Sequence, residues 1–179
     1  REELPKQFLA LHNEKSLLCN TMDRFNRSAA GLRFSVVAAE QWRSIIQHQA
    51  QAYMQDGNLR LIEEPSGKNT APAILLACLT LLSEGVSDKS ILIVSPSDHI
   101  IGQEKDFSAA LQEAIDAARA DHIALLGIVP THPETGFGYI QSKKIVDRGY
   151  FPVNRFVEKP KLETAEEYLR EGNWFWNGG

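Results

Sequence analysis

An aspartate follows an apolar run in the segment ILIVSPSDHII, and its position suggests two kinds of chemistry. The apolar residues 91–94 predict a buried strand, and the turn Ser-Pro-Ser separates them from Asp98. Such a carboxylate is commonly the N-cap of a following helix. It could instead bind Mg²⁺, which takes one or two carboxylates together with substrate phosphates. The His and Cys spacing does not indicate zinc, and both interpretations of Asp98 stay open from this segment alone.

A second segment, IEEPSGKNTAPAI, places two acids at the end of a predicted strand and a helix start soon after. Gly67 permits a tight loop, and Asn69 or Thr70 is a typical N-cap. The free N–H groups at a helix start give positive potential, so this loop could hold a flat polar ring or a phosphate. A well-capped strand-to-helix turn is the interpretation that composition alone favours.

Three later segments contain groups that could contact a sugar. In PTHPETGFGYI, Gly136 and Gly138 allow a ligand to approach the backbone, or form a bulge. In FVEKP, Glu158 and Lys159 are predicted to point to opposite faces of a strand, one toward sugar hydroxyls and one toward a phosphate. A surface ion pair is the alternative. The aromatic residues of GNWFWNGG could form a sugar-facing wall or belong to the core.

These segments need a scaffold, and the hydrophobic pattern predicts an α/β fold with a doubly wound, mostly parallel, Rossmann-like sheet. In such sheets ligands bind at the carboxyl ends of the strands. After residue 131 the pattern changes to short strands, which predict a small mixed sheet at the sugar-binding edge. The predicted strands are 34–39, 59–64, 91–94 and 123–129, and the predicted helices are 16–25, 40–54, 69–85, 105–120 and 164–172.

Composition narrows the class of protein. The chain has 179 residues, 43% hydrophobic and 23% charged, with a net charge of −4. This composition is typical of a globular protein and gives no indication of nucleic acid or an anionic membrane as partner. Only Cys19 and Cys78 are present, which favours free thiols and a cytoplasmic location over a disulfide framework.

Six segments, in their order along the chain, resemble the bacterial mannose-1-phosphate guanylyltransferases, which belong to the wider sugar-nucleotide nucleotidyltransferase family. The segments are PKQFLAL, EEPSGKNTAPAI, SPSDHII, PTHPETGFGYI, FVEKP and WFWNGG. The resemblance implies synthesis of GDP-mannose and pyrophosphate from GTP and α-D-mannose 1-phosphate. The sugar phosphate would attack the α-phosphorus in line, assisted by Mg²⁺.

The resemblance also implies a role for individual residues. Lys6 would contact the reacting phosphates, Asp98 would be the metal ligand, and Lys159 would lie near the sugar phosphate. The implied nucleotide-binding residues are Glu64, Gly67, Asn69, Thr70 and Ser97. The implied sugar-binding residues are Gly136, Gly138, Tyr139, Glu158 and Asn177. Gly178 departs from the serine that is usual in the family.

The base preference also follows from the chemistry of Glu64. Guanine presents N1–H and the 2-amino group side by side, and an ionised carboxylate can accept both hydrogen bonds. Uracil and thymine present an acceptor–donor–acceptor edge, which suits an amide better. Glu64 is therefore predicted to favour guanine.

The remaining expectations concern the whole protein. Residues 1–179 are expected to be a nucleotidyltransferase domain that is incomplete at both ends. The glycine-rich phosphate loop with its arginine and a second metal-binding aspartate are expected outside these residues, so the 179 residues alone are expected to be inactive. The partners are expected to be small molecules, with a possible homodimer. The alternatives are the same chemistry with another sugar or nucleotide, and a non-catalytic homologue.

Overall fold

The computed structural model describes residues 4–143 and 149–178, and these residues confirm an α/β fold. The helices are α1 (Leu17–Ser28), α2 (Arg43–Gln49), α3 (Gln51–Gln55), α4 (Thr70–Ser83), α5 (Glu104–Arg119) and α6 (Leu162–Glu171). The strands are β1 (Phe34–Ala39), β2 (Leu59–Glu64), β3 (Gly127–Ile128), β4 (Gly138–Ser142), β5 (Val153–Glu158) and β6 (Trp174–Asn177). The chain divides into two compact units, Arg1–Ser108 and Ala109–Gly179.

The first unit contains a parallel pair of strands. β1 and β2 run in register from Phe34 opposite Leu59 to Ala39 opposite Glu64, and α2 and α3 form the crossover between them. Strand and helix alternate here because short apolar runs and amphipathic runs with a period of 3.6 follow one another. Its core residues are Phe8, Leu18, Cys19, Met22, Ile46, Ala50 and Leu59. This part of the βα prediction is confirmed.

The second unit contains a four-stranded sheet in the order β3-β6-β4-β5. Every described pair in this sheet is antiparallel, so the predicted mixed sheet is wrong. One buried cluster of this unit contains Tyr139, Ala165, Tyr168, Trp174 and Trp176. The Tyr168 and Trp174 rings stack with centroids 3.6 Å apart. The tryptophans therefore belong to the core, and they do not form an open sugar-facing wall.

Two predicted strands differ from the structure. Residues 91–94 form no strand, and only 127–128 of the predicted 123–129 do so, in an antiparallel pair. Ile91 is 39% exposed and Val94 45% exposed, so the expected burial is also wrong. An apolar run indicates a preference for burial, but a parallel strand also needs a neighbouring backbone to complete its hydrogen bonds. The described residues therefore contain no doubly wound sheet.

Two further findings concern the cysteines and the helices. Both cysteines are free, as predicted. Among residues 4–143 and 149–178, no helix combines the length and apolar character needed to cross a bilayer.

Candidate active site

The structure brings Lys6 and Asp98 together. Lys6 begins a short 3-10 turn after Pro5, and Phe8 fixes this turn because its ring is buried against Trp42 with centroids 5.5 Å apart. The Lys6 ammonium lies 3.9 Å from Oδ2 of Asp98. The two side chains are 59% and 40% exposed, so both can reach a ligand. A cation and a carboxylate at this distance could serve the reacting phosphates and their counter-ion.

Asp98 lies in a bend with Ser97 and does not cap a helix, because α5 begins only at Glu104. Among the described residues, no three His, Cys, Asp or Glu side chains cluster as a metal site would require. Asp98 is therefore a single carboxylate donor. That fits Mg²⁺ only if phosphate oxygens and water supply most of the ligands, which is the arrangement that Mg²⁺ prefers.

The loop between β2 and α4 begins its helix in an unusual way. Asn69 occupies the N-cap position, as predicted, but its side chain makes no capping hydrogen bond. Its backbone has φ 67°, a left-handed value that costs about 1–3 kcal/mol in a residue other than glycine. The first turn of α4, which starts at exposed Thr70, therefore lacks a side-chain cap from Asn69 for its N–H groups.

The two acids that precede this loop have different surroundings. Glu63 binds Arg43, with Nη2–Oε2 at 2.6 Å and Nε–Oε1 at 2.5 Å. This hydrogen bonding raises the pKa of Arg43. Glu64 has no ion pair within the described parts of the chain. A Cβ on Gly67 would lie 4.0 Å from Oε1 of Glu64, so the glycine leaves space beside this carboxylate. Glu64 is thus the acid that is left to accept hydrogen bonds from a ligand.

In the second unit, Gly138 and Glu158 face each other across β4 and β5. A Cβ on Gly138 would lie 2.8 Å from Oε2 of Glu158 and 2.8 Å from Cζ of Phe156. Any side chain here would displace Glu158, so the glycine is needed for the position of this carboxylate. Asn177 lies half-buried in β6 opposite Gly127.

The predicted divergence of Glu158 and Lys159 is wrong. Lys159 follows the end of β5 and has φ 44°, so the strand alternation no longer applies to it. Its N–H donates to the carbonyl of Phe137 at 3.2 Å, and its ammonium lies 3.7 Å from Oε1 of Glu158. The acid and the base therefore lie side by side on one surface. A strained backbone at such a position is typical of functional sites.

Sequence reasoning missed Glu134, which organises the loop before β4. Its carboxylate accepts a hydrogen bond from Gly136 N at 2.7 Å, and its N–H donates to the hydroxyl of Tyr139 at 3.0 Å. The bond from Gly136 holds the pKa of Glu134 below its usual value, and His132 acts in the same direction. The sequence pattern that could have predicted this role is an acid two residues before a glycine, because such a carboxylate can accept the glycine N–H. Tyr139 is fully buried between β5 and β6, so it supports this loop through its hydroxyl and is not itself open to a ligand.

Comparison with known proteins shows what the chain as a whole is similar to. A mannose-1-phosphate guanylyltransferase of Escherichia coli is 39% identical over the whole chain, which covers 39% of that protein. A mannose-1-phosphate guanylyltransferase of Salmonella muenchen is also 39% identical, and the chain covers 37% of its length. The chain thus spans about two fifths of these relatives. A Thermus thermophilus structure titled mannose-1-phosphate geranyltransferase has TM-score 0.85 and 35% identity over the whole chain and 50% of that structure.

The family comparison extends over the same residues. The nucleotidyl transferase family matches residues 1–179, which is the full length of the chain. The resemblance to the bacterial mannose-1-phosphate guanylyltransferases, which the six segments indicated, is confirmed by these relatives. The chain belongs to the nucleotidyl transferase family.

Proposed function

We propose that the protein containing this chain is a mannose-1-phosphate guanylyltransferase, which makes GDP-mannose and pyrophosphate from GTP and α-D-mannose 1-phosphate. The observation that carries this proposal is the similarity, along the whole chain, to proteins of that name. The proximity of Lys6 and Asp98 supports it, since nucleotidyl transfer depends on positioning and charge neutralisation.

At the reacting phosphates, Lys6 would neutralise charge that develops as pyrophosphate leaves. Asp98 would hold Mg²⁺, which supplies Lewis-acid stabilisation of the phosphate oxygens when it is bound. Ser97, beside Asp98 in the same bend, would contact the nucleotide. The half-exposed side chains of Lys6 and Asp98 leave both groups free to turn toward a substrate.

At the base, Glu64 would accept the N1–H and 2-amino hydrogen bonds of guanine. The ion pair of Glu63 with Arg43 supports this assignment, because it leaves Glu64 as the acid without a local cation. Gly67 would give room beside the ring, and Asn69 and Thr70 would contribute the polar start of α4.

At the sugar, Glu158 would accept hydrogen bonds from hydroxyl groups and Lys159 would bind the sugar phosphate. Their adjacency within 3.7 Å suits a ligand in which hydroxyl and phosphate are themselves adjacent. Gly136 and Gly138 would line the approach, and the side chain of Asn177 would complete it. The buried Tyr139 would hold the loop in place through its hydroxyl. Gly138 is required because a Cβ there would meet Glu158.

The test measures pyrophosphate release by the full-length protein. Mannose 1-phosphate is compared with glucose 1-phosphate, and GTP with UTP and dTTP. The proposal expects turnover to be highest with GTP and mannose 1-phosphate, and Glu64→Gln to lower the preference for GTP over UTP. Faster turnover with another pair would establish the alternative substrates, and no turnover with any pair would favour a non-catalytic homologue. An unchanged GTP preference in Glu64→Gln would remove the assigned role of Glu64.

Other features of the whole protein are proposed on the same basis. The parallel β1–β2 pair would belong to a larger doubly wound sheet in the whole protein. A cytoplasmic location stays a prediction from the cysteine content, and a homodimer stays a prediction from the family resemblance. Sedimentation of the purified full-length protein tests the dimer directly.

A further inference from the structure

A cleft of about 250 Å³ lies in the first unit, lined by α1 and by the segment that follows Asp98. None of the residues assigned above to nucleotide, metal or sugar lines it. The cleft is rich in charge, with Lys15, Arg24 and Arg27 as cations and Asp23 and Glu104 as carboxylates. Its occupant is therefore expected to be a charged molecule.

Arg24 is the unusual residue of this cleft, because its charge is buried and has no carboxylate partner among residues 4–143 and 149–178. The residue is only 5% exposed. Its Nη2 donates to the hydroxyl of Thr21 at 3.1 Å, and its Nη1 donates to the carbonyl of His99 at 3.5 Å. Its Nε is buried and has no hydrogen-bond partner among the described residues. A guanidinium has five N–H donors, so most of them are unused.

The electrostatics of Arg24 follow from this burial. Burial lowers the pKa of Arg24, and the nearby Glu104 only partly opposes the effect. One face of the guanidinium is covered by the ring of Phe107, at 5.4 Å from the ring centroid. A buried cation with neutral acceptors alone is unfavourable, and an anion bound beside it would compensate the charge.

The carboxylates of the cleft cannot supply this compensation fully, because each is bonded elsewhere. Asp23 accepts hydrogen bonds from Lys15 at 2.6 Å and from Tyr53 at 2.7 Å. Glu104 accepts two from Arg27, at 3.0 and 2.6 Å. Three cations and two carboxylates leave one positive charge in excess among these lining groups.

We propose that this cleft binds a phosphate group, with Arg24 as its central cation and Arg27 and Lys15 as the outer ones. Arg27 and Lys15 are 56% and 61% exposed, so both can turn toward a ligand while keeping their partners. A guanidinium fork matches the geometry of phosphate oxygens. The group could be inorganic phosphate or part of a larger phosphate ester. This inference does not depend on the proposed function.

The test follows methyl NMR signals of the full-length protein during titration with inorganic phosphate, pyrophosphate and a nucleoside diphosphate sugar. Ile100 and Ile101 line the cleft and report on it, whereas Ile62 in β2 is the internal reference. Saturable shifts at Ile100 and Ile101 with inorganic phosphate support the site and identify its simplest ligand. Saturation only with an esterified phosphate supports the site with a larger occupant, and no saturation with any of the three overturns it.

Charge-removing variants assign the signal to the cleft. Arg24→Gln is expected to weaken binding about ten-fold, the size of one lost charged hydrogen bond. The matched control is Arg60→Gln, an exposed arginine of the same unit that pairs with Glu84 away from the cleft, and it should leave the affinity unchanged. If Arg24→Gln perturbs the ligand-free spectrum broadly, Arg27→Gln decides, and an unchanged affinity in that variant overturns the proposal.

One more variant separates this cleft from the Asp98 region. Lys6 lies 3.9 Å from Asp98 and does not line the cleft. Lys6→Gln should therefore leave the phosphate affinity at Ile100 and Ile101 unchanged. Loss of the shifts in Lys6→Gln, with their retention in Arg24→Gln, would mean that the ligand binds beside Asp98, and the cleft proposal would fail.

Discussion

The two units hold their candidate site residues by different means. In the first, Lys6 and Asp98 come from a short turn and a bend, and side-chain bonds such as Lys15–Asp23–Tyr53 and Arg27–Glu104 fasten the surrounding segments. In the second, Gly138 and Glu158 are paired directly across a strand ladder. A side-chain bond depends on pH and salt, whereas a backbone ladder does not. The first unit should therefore separate activity from stability, whereas in the second the fit of side chains against the ladder should set the position of Glu158.

The largest effect is expected for Asp98→Asn in the full-length protein. Loss of the carboxylate should reduce GDP-mannose synthesis about 100-fold or more, as for removal of one preorganised electrostatic group. Stability should change little, since the Lys6–Asp98 pair is exposed and spans 3.9 Å. Pyrophosphate release and thermal unfolding measure the two quantities. The control is Asp116→Asn, an exposed acid paired with Arg119, and a large loss of stability in Asp98→Asn would break the comparison.

The difference between the units also explains what could be predicted from sequence. β1, β2 and most helices were predictable because their periodicity and end signals are local. Residues 91–94 were not, since their composition predicts burial but cannot provide the neighbouring strand on which a parallel pairing depends. Lys159 was also beyond prediction, because the strand period of two fails where the backbone turns left-handed. The Lys6–Asp98 proximity joins residues far apart in sequence, and only the family resemblance hinted at it.

The next effect tests the second unit with Gly138→Ala. The added Cβ would meet the ends of the Glu158 and Phe156 side chains at 2.8 Å, and both are free to move away. The KM for mannose 1-phosphate should therefore rise about ten-fold, the value of one charged hydrogen bond. Initial rates at varied sugar phosphate check this.

Two glycine controls bracket the Gly138→Ala result. Gly127→Ala would place a Cβ 2.9 Å from Cβ of Phe175, an atom fixed to the backbone, and should lower stability while leaving Glu158 in place. A Cβ on Gly102 would meet no atom within 4 Å, so Gly102→Ala should change neither the stability nor the KM. An unchanged KM in Gly138→Ala would contradict the role given to Glu158.

A smaller effect is expected for Tyr53→Phe in the first unit. Burial acts to raise the pKa of Asp23, but the hydrogen bonds from Lys15 and Tyr53 outweigh it and hold this pKa below its usual value. Removing the Tyr53 hydroxyl should destabilise α1 by about 1–2 kcal/mol at pH 7. Hydrogen exchange of the α1 amides measures it.

The pH dependence of that difference follows from the sign of the Asp23 shift. A lowered pKa in the folded state adds stability above the usual carboxyl pKa, near 4, and this stability is lost as the pH falls through the folded-state value. The difference in α1 stability between wild type and Tyr53→Phe should accordingly become smaller below about pH 4. If this difference in α1 stability stays constant down to pH 3, the hydroxyl acts through packing rather than through the charge of Asp23.

The smallest effect on stability is expected for Lys159→Gly. This variant distinguishes the backbone strain at Lys159 from the function of its ammonium group. Lys159 has φ 44°, which glycine adopts without the cost of about 1 kcal/mol that a side chain incurs. The exchange of β4 and β5 amides should therefore slow slightly, while synthesis of GDP-mannose falls because the ammonium is lost. Lys159→Gln keeps the strain and removes the charge, so it should lose activity without the gain in protection. If the β4 and β5 amides exchanged as fast in Lys159→Gly as in Lys159→Gln, the left-handed backbone of Lys159 would have no measurable effect on stability. The strand ladder alone would then determine the stability of this unit.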